Sequence, residues 1–276
     1  MVKGSGGMSG RPKALIITAA GINCDGELAT AFSIAGSDVE SVHLSTLTRT
    51  PSIIDRFDLI GLPGGFSYGD AVAAGRIMAE LMQRTLCGPL AAALQRGVPM
   101  MAPCNGFQIA VQMGLLPGPL GNSQSVALCQ NESARFIDTW VGIKVPANTR
   151  CIWTQDLVMT PETALLPIAH GEGRFVTSPA EMEALSSQGQ IAITYTPADN
   201  PNGSMGDVAG ICDATGLVFG LMPHPERYTR WTHHPSWTRM DLSTMAHEPP
   251  GLQMFRAAVA HATGSERSAP VGTVGA

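Results

Sequence analysis

The chain has 276 residues, a formal net charge of -5, 44% hydrophobic residues and only 14% charged ones. That length fits one large domain or two small ones, with a core that needs no disulfide or metal staple, and the composition excludes a mainly disordered chain. Mild acidity argues against a nucleic-acid partner, which is bound through clustered Lys and Arg, and no apolar run approaches the ~20 residues that cross a bilayer. The N-terminal stretch carries no apolar segment of a secretory signal, so a soluble, cytoplasmic protein is expected. Six cysteines lie at wide spacings with no C-x-x-C pair and no Cys/His cluster at zinc spacing, which predicts free thiols and no bound metal.

Residues 1–12 are rich in Gly and Ser and read as a flexible leader. Ala14 to Thr18 is a continuous apolar run, as expected of a strand buried on both faces. Asp25 is placed to cap a helix whose apolar residues Leu28, Ala31, Phe32 and Ala35 follow helical spacing, with Gly36 ending it. Val39 to Leu44 and Asp58 to Leu62 read as further strands. Asp70 opens a helical stretch, and Pro89 suits the first turn of another helix that ends at Gly97. Val98 to Ala102 is the next apolar strand, and Phe107, Ala110, Val111 and Gly114 mark the inner face of the helix after it. Strands separated by helical segments predict β-α-β units and a parallel sheet. In the second half, Ile191 to Tyr195 and the runs around Cys212 to Gly216 resemble hairpin strands. The expectation is therefore an α/β fold: one domain over residues 13–262, with a mixed, mostly parallel sheet flanked by helices and an antiparallel edge. Residues 228–250 have no clear period and read as an inserted loop, and residues 263–276 as a flexible tail.

Chemistry concentrates where a buried strand runs into a helix at Val98 to Gln108 (VPMMAPCNGFQ). Cys104 sits at that junction, the geometry of a nucleophile elbow, at a helix N-terminus whose amides and dipole favour a thiolate. The same amides, notably that of Asn105, are suited to an oxyanion. A buried structural cysteine is the plain alternative. Two His-x-Glu pairs compete for the general base: His170 with Glu172, and His224 with Glu226. Pro225 and the apolar strand before His224 make the second pair the more rigid, while glycines flank Glu172 in the first; both stay in contention on these grounds. A third element, Gly61 to Asp70 (GLPGGFSYGD), lies at the carboxyl end of a predicted strand, where active sites of open parallel sheets gather. No Walker-type or G-x-G-x-x-G signature is present, so ATP or a dinucleotide is not bound by those routes.

Seven stretches in order carry a resemblance: GINCD from Gly21, GGFSYGD from Gly64, CNGFQ from Cys104, NESARF from Asn131, AHGEGR from Ala169, NPNGS from Asn200 and MPHPER from Met222. Together they are similar to the class I (triad) glutamine amidotransferases, and within them to the branch that feeds purine biosynthesis, from about Ala14 to His261. The resemblance implies that Cys104 is the nucleophile, His224 the base and acid, and Glu226 the residue that orients it. It implies an oxyanion hole from the backbone of Gly65 and Asn105, and a glutamine site at Gln108 with Asn131, Ser133, Arg135 and Phe136. His170 and Glu172 would belong to a coupling loop at the partner interface or the ammonia exit. The implied activity is hydrolysis of L-glutamine through a cysteine thioester, with ammonia passed to a separate synthetase subunit, PurL, which holds ATP and Mg, and a small bridging subunit, PurS. The glycine usual two residues before the nucleophile is Ala102 here; a methyl group is the smallest addition, so the turn is expected to survive. Rival readings are a glutaminase serving GMP or CTP synthesis, and a catalytically silent module on the same fold.

Overall fold

The computed structural model describes residues 10–120 and 124–264. Of the expected leader and tail, residues 1–9 and 265–276 therefore lie outside the described residues. Arg11 and Pro12, at the end of the expected leader, are bonded to the domain: Arg11 donates to the carbonyls of Ser33, Gly36 and Ser37, and Pro12 accepts from Asp38.

In chain order the elements are β1 (Lys13–Thr18), α1 (Asp25–Ala35), β2 (Asp38–His43), α2 (Leu44–Arg49), β3 (Leu59–Gly61), α3 (Arg76–Gln95), β4 (Met100–Pro103), α4 (Asn105–Gln112), β5 (Val126–Gln130), β6 (Ile137–Lys144), β7 (Leu165–His170), β8 (Glu172–Thr177), α5 (Pro179–Ser187), β9 (Ile191–Tyr195), β10 (Val208–Cys212), β11 (Val218–Leu221) and α6 (Pro250–Thr263). Nine strands form one sheet in the order β2-β1-β3-β4-β11-β10-β9-β6-β7, and β5 pairs with β8 apart from it. The first five neighbours run parallel; from β10 onward every pairing is antiparallel. The expected mixed sheet with an antiparallel edge is the one observed.

Strand β1 shows why the apolar runs are continuous. Its Leu15 and Ile17 enter the core built with α2, α3 and α4, while Ala14 and Ile16 enter the opposite core, built with α1 and α6. Both faces are covered, so no position in the strand has to be polar. In α1 the residues at helical spacing, Leu28, Ala31, Phe32 and Ala35, are all buried, and Gly36 closes the helix with φ 111°.

Three expectations are corrected. The N-cap of α1 is Cys24 rather than Asp25, which lies one residue inside, where its charge favours the helix dipole. Asp70 ends a short 3-10 turn and opens no helix; the helix begins at Arg76. Pro89 starts no new helix and lies inside the 20-residue α3. A mid-helix proline costs about 3 kcal/mol, but Met78, Ala79, Met82, Leu86, Leu90 and Ala93 bury one face on both sides of it. That shared face favours one continuous helix. Residues 228–250 form three short 3-10 turns, and within them the buried Tyr228 and His234 pack against Trp140.

Candidate active site

Four neighbouring parallel strands, β1, β3, β4 and β11, deliver their C-terminal ends to one place. Cys104 follows β4 directly. Its backbone has φ 50° and ψ -110°, strained for a residue with a Cβ, and its amide donates to Leu221 O at 2.7 Å. This is the sharp strand-to-helix corner that presents a nucleophile. Gly106 makes it possible, since a Cβ there would drive into the carbonyl oxygen of Leu62. Ala102 is tolerated: its methyl lies 3.4 Å from that Cβ position, an ordinary contact.

His224 follows β11 and is anchored by its amide to Pro167 O at 2.8 Å. Its ring Nδ1 donates to Glu226 Oε1 at 2.6 Å, and both side chains are buried. Nε2 is buried without a hydrogen-bond partner, so it is the free end of the imidazole. Burial alone would depress His224, but the Glu226 carboxylate and the Cys104 sulfur outweigh it and push the ring up to about 10. Gly64, after β3, marks the space between Cys104 and His224: a Cβ there would stand 2.9 Å from His224 Cε1 and 3.3 Å from Cys104 Cβ. The two side chains therefore meet across the bare backbone of Gly64. Next to it, Gly65 has φ 139° and bridges to Ile22. The Cys104 thiol lies 3.7 Å from Ala169 O.

A polar chain joins this corner to its surroundings. Asn105 Oδ1 accepts from the Ser67 amide at 3.1 Å, and Asn105 Nδ2 donates to Gln108 Oε1 at 2.8 Å. Gln108 in turn donates to Glu172 O, and the Glu172 carboxylate accepts from the Ala74 amide at 3.4 Å. The stretches around Gly64, Cys104 and His170 are thus one bonded unit.

His170 corrects the expectation that the first His-x-Glu pair is mobile. It ends β7, Glu172 begins β8, and the ring is buried against Gly173. Asn131 holds it from the other side: Nδ2 donates to Arg135 O and His170 O, so Oδ1 accepts and His170 Nδ1 carries the proton. Burial, with His224 nearby, lowers His170 to about 4 and keeps it neutral. Its carboxylate partner does not reach it: Glu172 bonds to the Ala74 amide instead, so only the second pair forms a histidine–carboxylate relay. Ser133, Arg135 and Phe136 are exposed; the Ser133 hydroxyl accepts from the Arg135 amide, and Phe136 faces Phe66, the residue after Gly65, with ring centroids 6.3 Å apart.

The sequence pattern gave no task to Cys24, which lies with its sulfur 3.4 Å from the Cβ position of Gly64. The signal available was its place at the carboxyl end of a parallel strand. Ligating atoms of Cys24, His224 and Glu226 lie within 4.8 Å of one another, a donor set a zinc ion would accept. However, the guanidinium of Arg227 donates to the sulfur at 3.2 Å and His224 Nδ1 is spent on Glu226, so the residues as arranged do not form a metal site.

The arrangement is equipped for acyl transfer at an amide. It offers a thiol at a helix N-terminus, an imidazole with one free nitrogen, a carboxylate fixing the other, and glycine-lined backbone opposite. A doubly covered α/β sheet with a Cys–His–Glu relay at an elbow defines the class I glutamine amidotransferases, and the CobB/CobQ-like glutamine amidotransferase domain matches residues 11–262. The chain is 38% identical over 256 residues to phosphoribosylformylglycinamidine synthase subunit PurQ of Dehalococcoides mccartyi, covering 90% of this chain and 96% of that protein. It is 41% identical over 208 residues to the PurQ subunit of Thermomicrobium roseum, covering 71% and 81%. A chain of the PurLQS structure from Thermotoga maritima superposes with a TM-score of 0.69 at 32% identity, covering 90% of this chain and 98% of that one. Another glutamine amidotransferase of Thermotoga maritima, at 12% identity and a TM-score of 0.53 over 92% of this chain and 99% of that one, shares the fold. The chain belongs to the PurQ family of glutamine amidotransferases.

Proposed function

We propose that this chain is the glutaminase subunit of phosphoribosylformylglycinamidine synthase in de novo purine (IMP) biosynthesis. It hydrolyses L-glutamine to glutamate and ammonia and supplies the ammonia to the ATP-dependent synthetase subunit PurL, with PurS as the bridging subunit. ATP and Mg belong to PurL; this chain needs no cofactor. The location is the cytoplasm, in keeping with described residues among which no helix is long and apolar enough to cross a membrane.

Cys104, its proton already held by His224, attacks the side-chain amide carbon of glutamine as the thiolate. The backbone of Gly65 and Asn105 receives the oxyanion. His224 protonates the departing ammonia, then takes a proton from water as the γ-glutamyl thioester is hydrolysed, and Glu226 keeps the ring in one tautomer throughout. Gln108, Asn131, Ser133, Arg135 and Phe136 form the wall that receives the amino-acid end of glutamine. Gln108 and Asn131 act from fixed positions, since their amides are already bonded within the protein. His170 and Glu172 tie that wall to the elbow and lie on the ammonia side of the site.

The observation that carries this reading is the meeting of Cys104 and His224 at Gly64, with Glu226 at 2.6 Å behind the ring. A silent module on the same fold would have no reason to keep a strained cysteine facing a buried imidazole. The test is Cys104→Ala in the assembled synthase. Glutamine-dependent amidine synthesis is expected to fall by at least ~10³-fold while ammonia-dependent synthesis stays within about twofold. Glutamine hydrolysis persisting in the variant would overturn the mechanism.

A further inference from the structure

Cys24 is buried beside the relay without a task in the reaction. It is the N-cap of α1, a position where Ser, Thr, Asp or Asn accepts a bond from the first turn, yet its sulfur caps nothing. The thiol donates to Asn23 Oδ1 at 3.3 Å and accepts from Arg227 Nη2 at 3.2 Å. Arg227 Nε donates to Glu27 Oε2 at 3.1 Å. The guanidinium is therefore held between a sulfur and a carboxylate on the first turn of α1. Burial above all, and Glu226 after it, push Cys24 up to about 12, so the group that receives Arg227 is a neutral thiol.

A stronger acceptor stands one residue back in the chain. Glu226 spends Oε1 on His224 and keeps Oε2 buried without a partner. Atoms of Cys24 and Glu226 lie within 4.8 Å, so an arginine released from the sulfur has only a short way to turn. Guanidinium groups bind carboxylates better than thiols. An arginine on Glu226 would offset the charge that keeps the proton on His224, and the imidazolium would lose it at lower pH.

We propose that Cys24 is a positioning residue for the acid–base relay: by anchoring Arg227 it keeps the guanidinium from bonding to Glu226, so that the carboxylate's hydrogen bond is made to His224. This rests on the glutaminase reading above. A sulfur suits the task because it accepts from arginine without adding a second charge beside Glu226.

The experiment measures kcat and KM for glutamine against pH in the assembled synthase. The proteins are wild type, Cys24→Ala, Cys24→Ser, and the double variant Cys24→Ala with Arg227→Met; co-elution with the partner subunits shows that each is assembled. In Cys24→Ala the alkaline limb of kcat is expected to move down by about one pH unit with KM within about twofold. Cys24→Ser, whose hydroxyl still accepts from Arg227, is expected to follow wild type. In the double variant the limb returns toward wild type, because the cation that does the damage is gone. A limb unmoved in Cys24→Ala overturns the proposal, and so does a moved limb that the loss of Arg227 fails to restore, since that is the behaviour of a packing residue. Absence of glutaminase in the wild-type synthase is a different result, and it strikes the glutaminase reading instead.

Discussion

Two histidines sit near one another in this site, and their surroundings drive them to opposite charge states. His224 has a carboxylate at 2.6 Å and is pushed up to about 10; His170, buried and close to His224, is lowered to about 4. In the proposed reaction cationic His224 would be the form that protonates ammonia, and neutral His170 beside it would not compete for that proton. The same contrast gives a stability test. Unfolded, His170 titrates at 6.5, and folded at about 4, so the folded state binds its proton less readily. The stability this lends is fully present above 6.5 and is lost as pH falls through the interval down to about 4. The loss is on the order of 3 kcal/mol when complete. Denaturant unfolding of His170→Asn, which keeps a donor for Asn131 but does not titrate, is expected to show a shallower acid slope than wild type between neutral pH and about pH 5. Parallel slopes in the two proteins would show that His170 is not held neutral by the fold.

At the scale of elements, the elbow is a packing problem between two strands and a helix. Strand β3 and the start of α4 approach so closely that Gly106 faces the Leu62 carbonyl with no room for a methyl group. Both sides are backbone of buried core, so neither yields. Gly106→Ala is therefore expected to cost more than ~3 kcal/mol of stability, read as a lowered midpoint in denaturant, and to remove glutaminase activity with it. A variant as stable as wild type would mean that the corner can open to admit a methyl group.

These elements also mark how far the sequence could be read. The parallel half was legible because strands covered on both faces must be apolar throughout, as Ala14 to Ile17 are, and because α1 repeats its buried residues at helical spacing. The unity of α3 was hidden by Pro89, whose local preference was outweighed by a shared buried face. Strands β7 and β8 escaped notice because each is short and draws its partner from a distant segment: β6 for one, β5 for the other. Pro167 inside β7 even argued against a strand, and the edge of the sheet is where a proline can be carried. Cys104, His224 and Glu226 were readable since each stands in a short motif with its own chemistry. Cys24 was not, because what gives it meaning is Arg227, 203 residues away in the chain.

At the scale of the whole molecule, the sheet order explains why one thiol of six should be reactive. Strands β1, β3, β4 and β11 are consecutive in the sheet and parallel, so their C-terminal ends bring Cys24, Gly64, Cys104 and His224 to a single edge. All six cysteines are free. Burial raises Cys24 and Cys87, and Cys212 is raised by its hydrogen-bonded neighbour Cys151 together with burial. Cys151 is itself fully enclosed, and Cys129 lies on β5, in the separate small sheet. Cys24 also sits at a helix N-terminus near His224, but burial raises it and its sulfur is bonded to Asn23 and Arg227, whereas Cys104 faces the imidazole from the strained corner. A chloroketone analogue of glutamine is thus expected to modify about one thiol per native chain, at Cys104, located by peptide mass mapping. In His224→Ala the rate of that labelling should fall by at least ~10²-fold while denatured chains of both proteins label at all six positions. Labelling of the native protein at Cys24 or Cys129 in preference to Cys104 would contradict the assignment of the nucleophile.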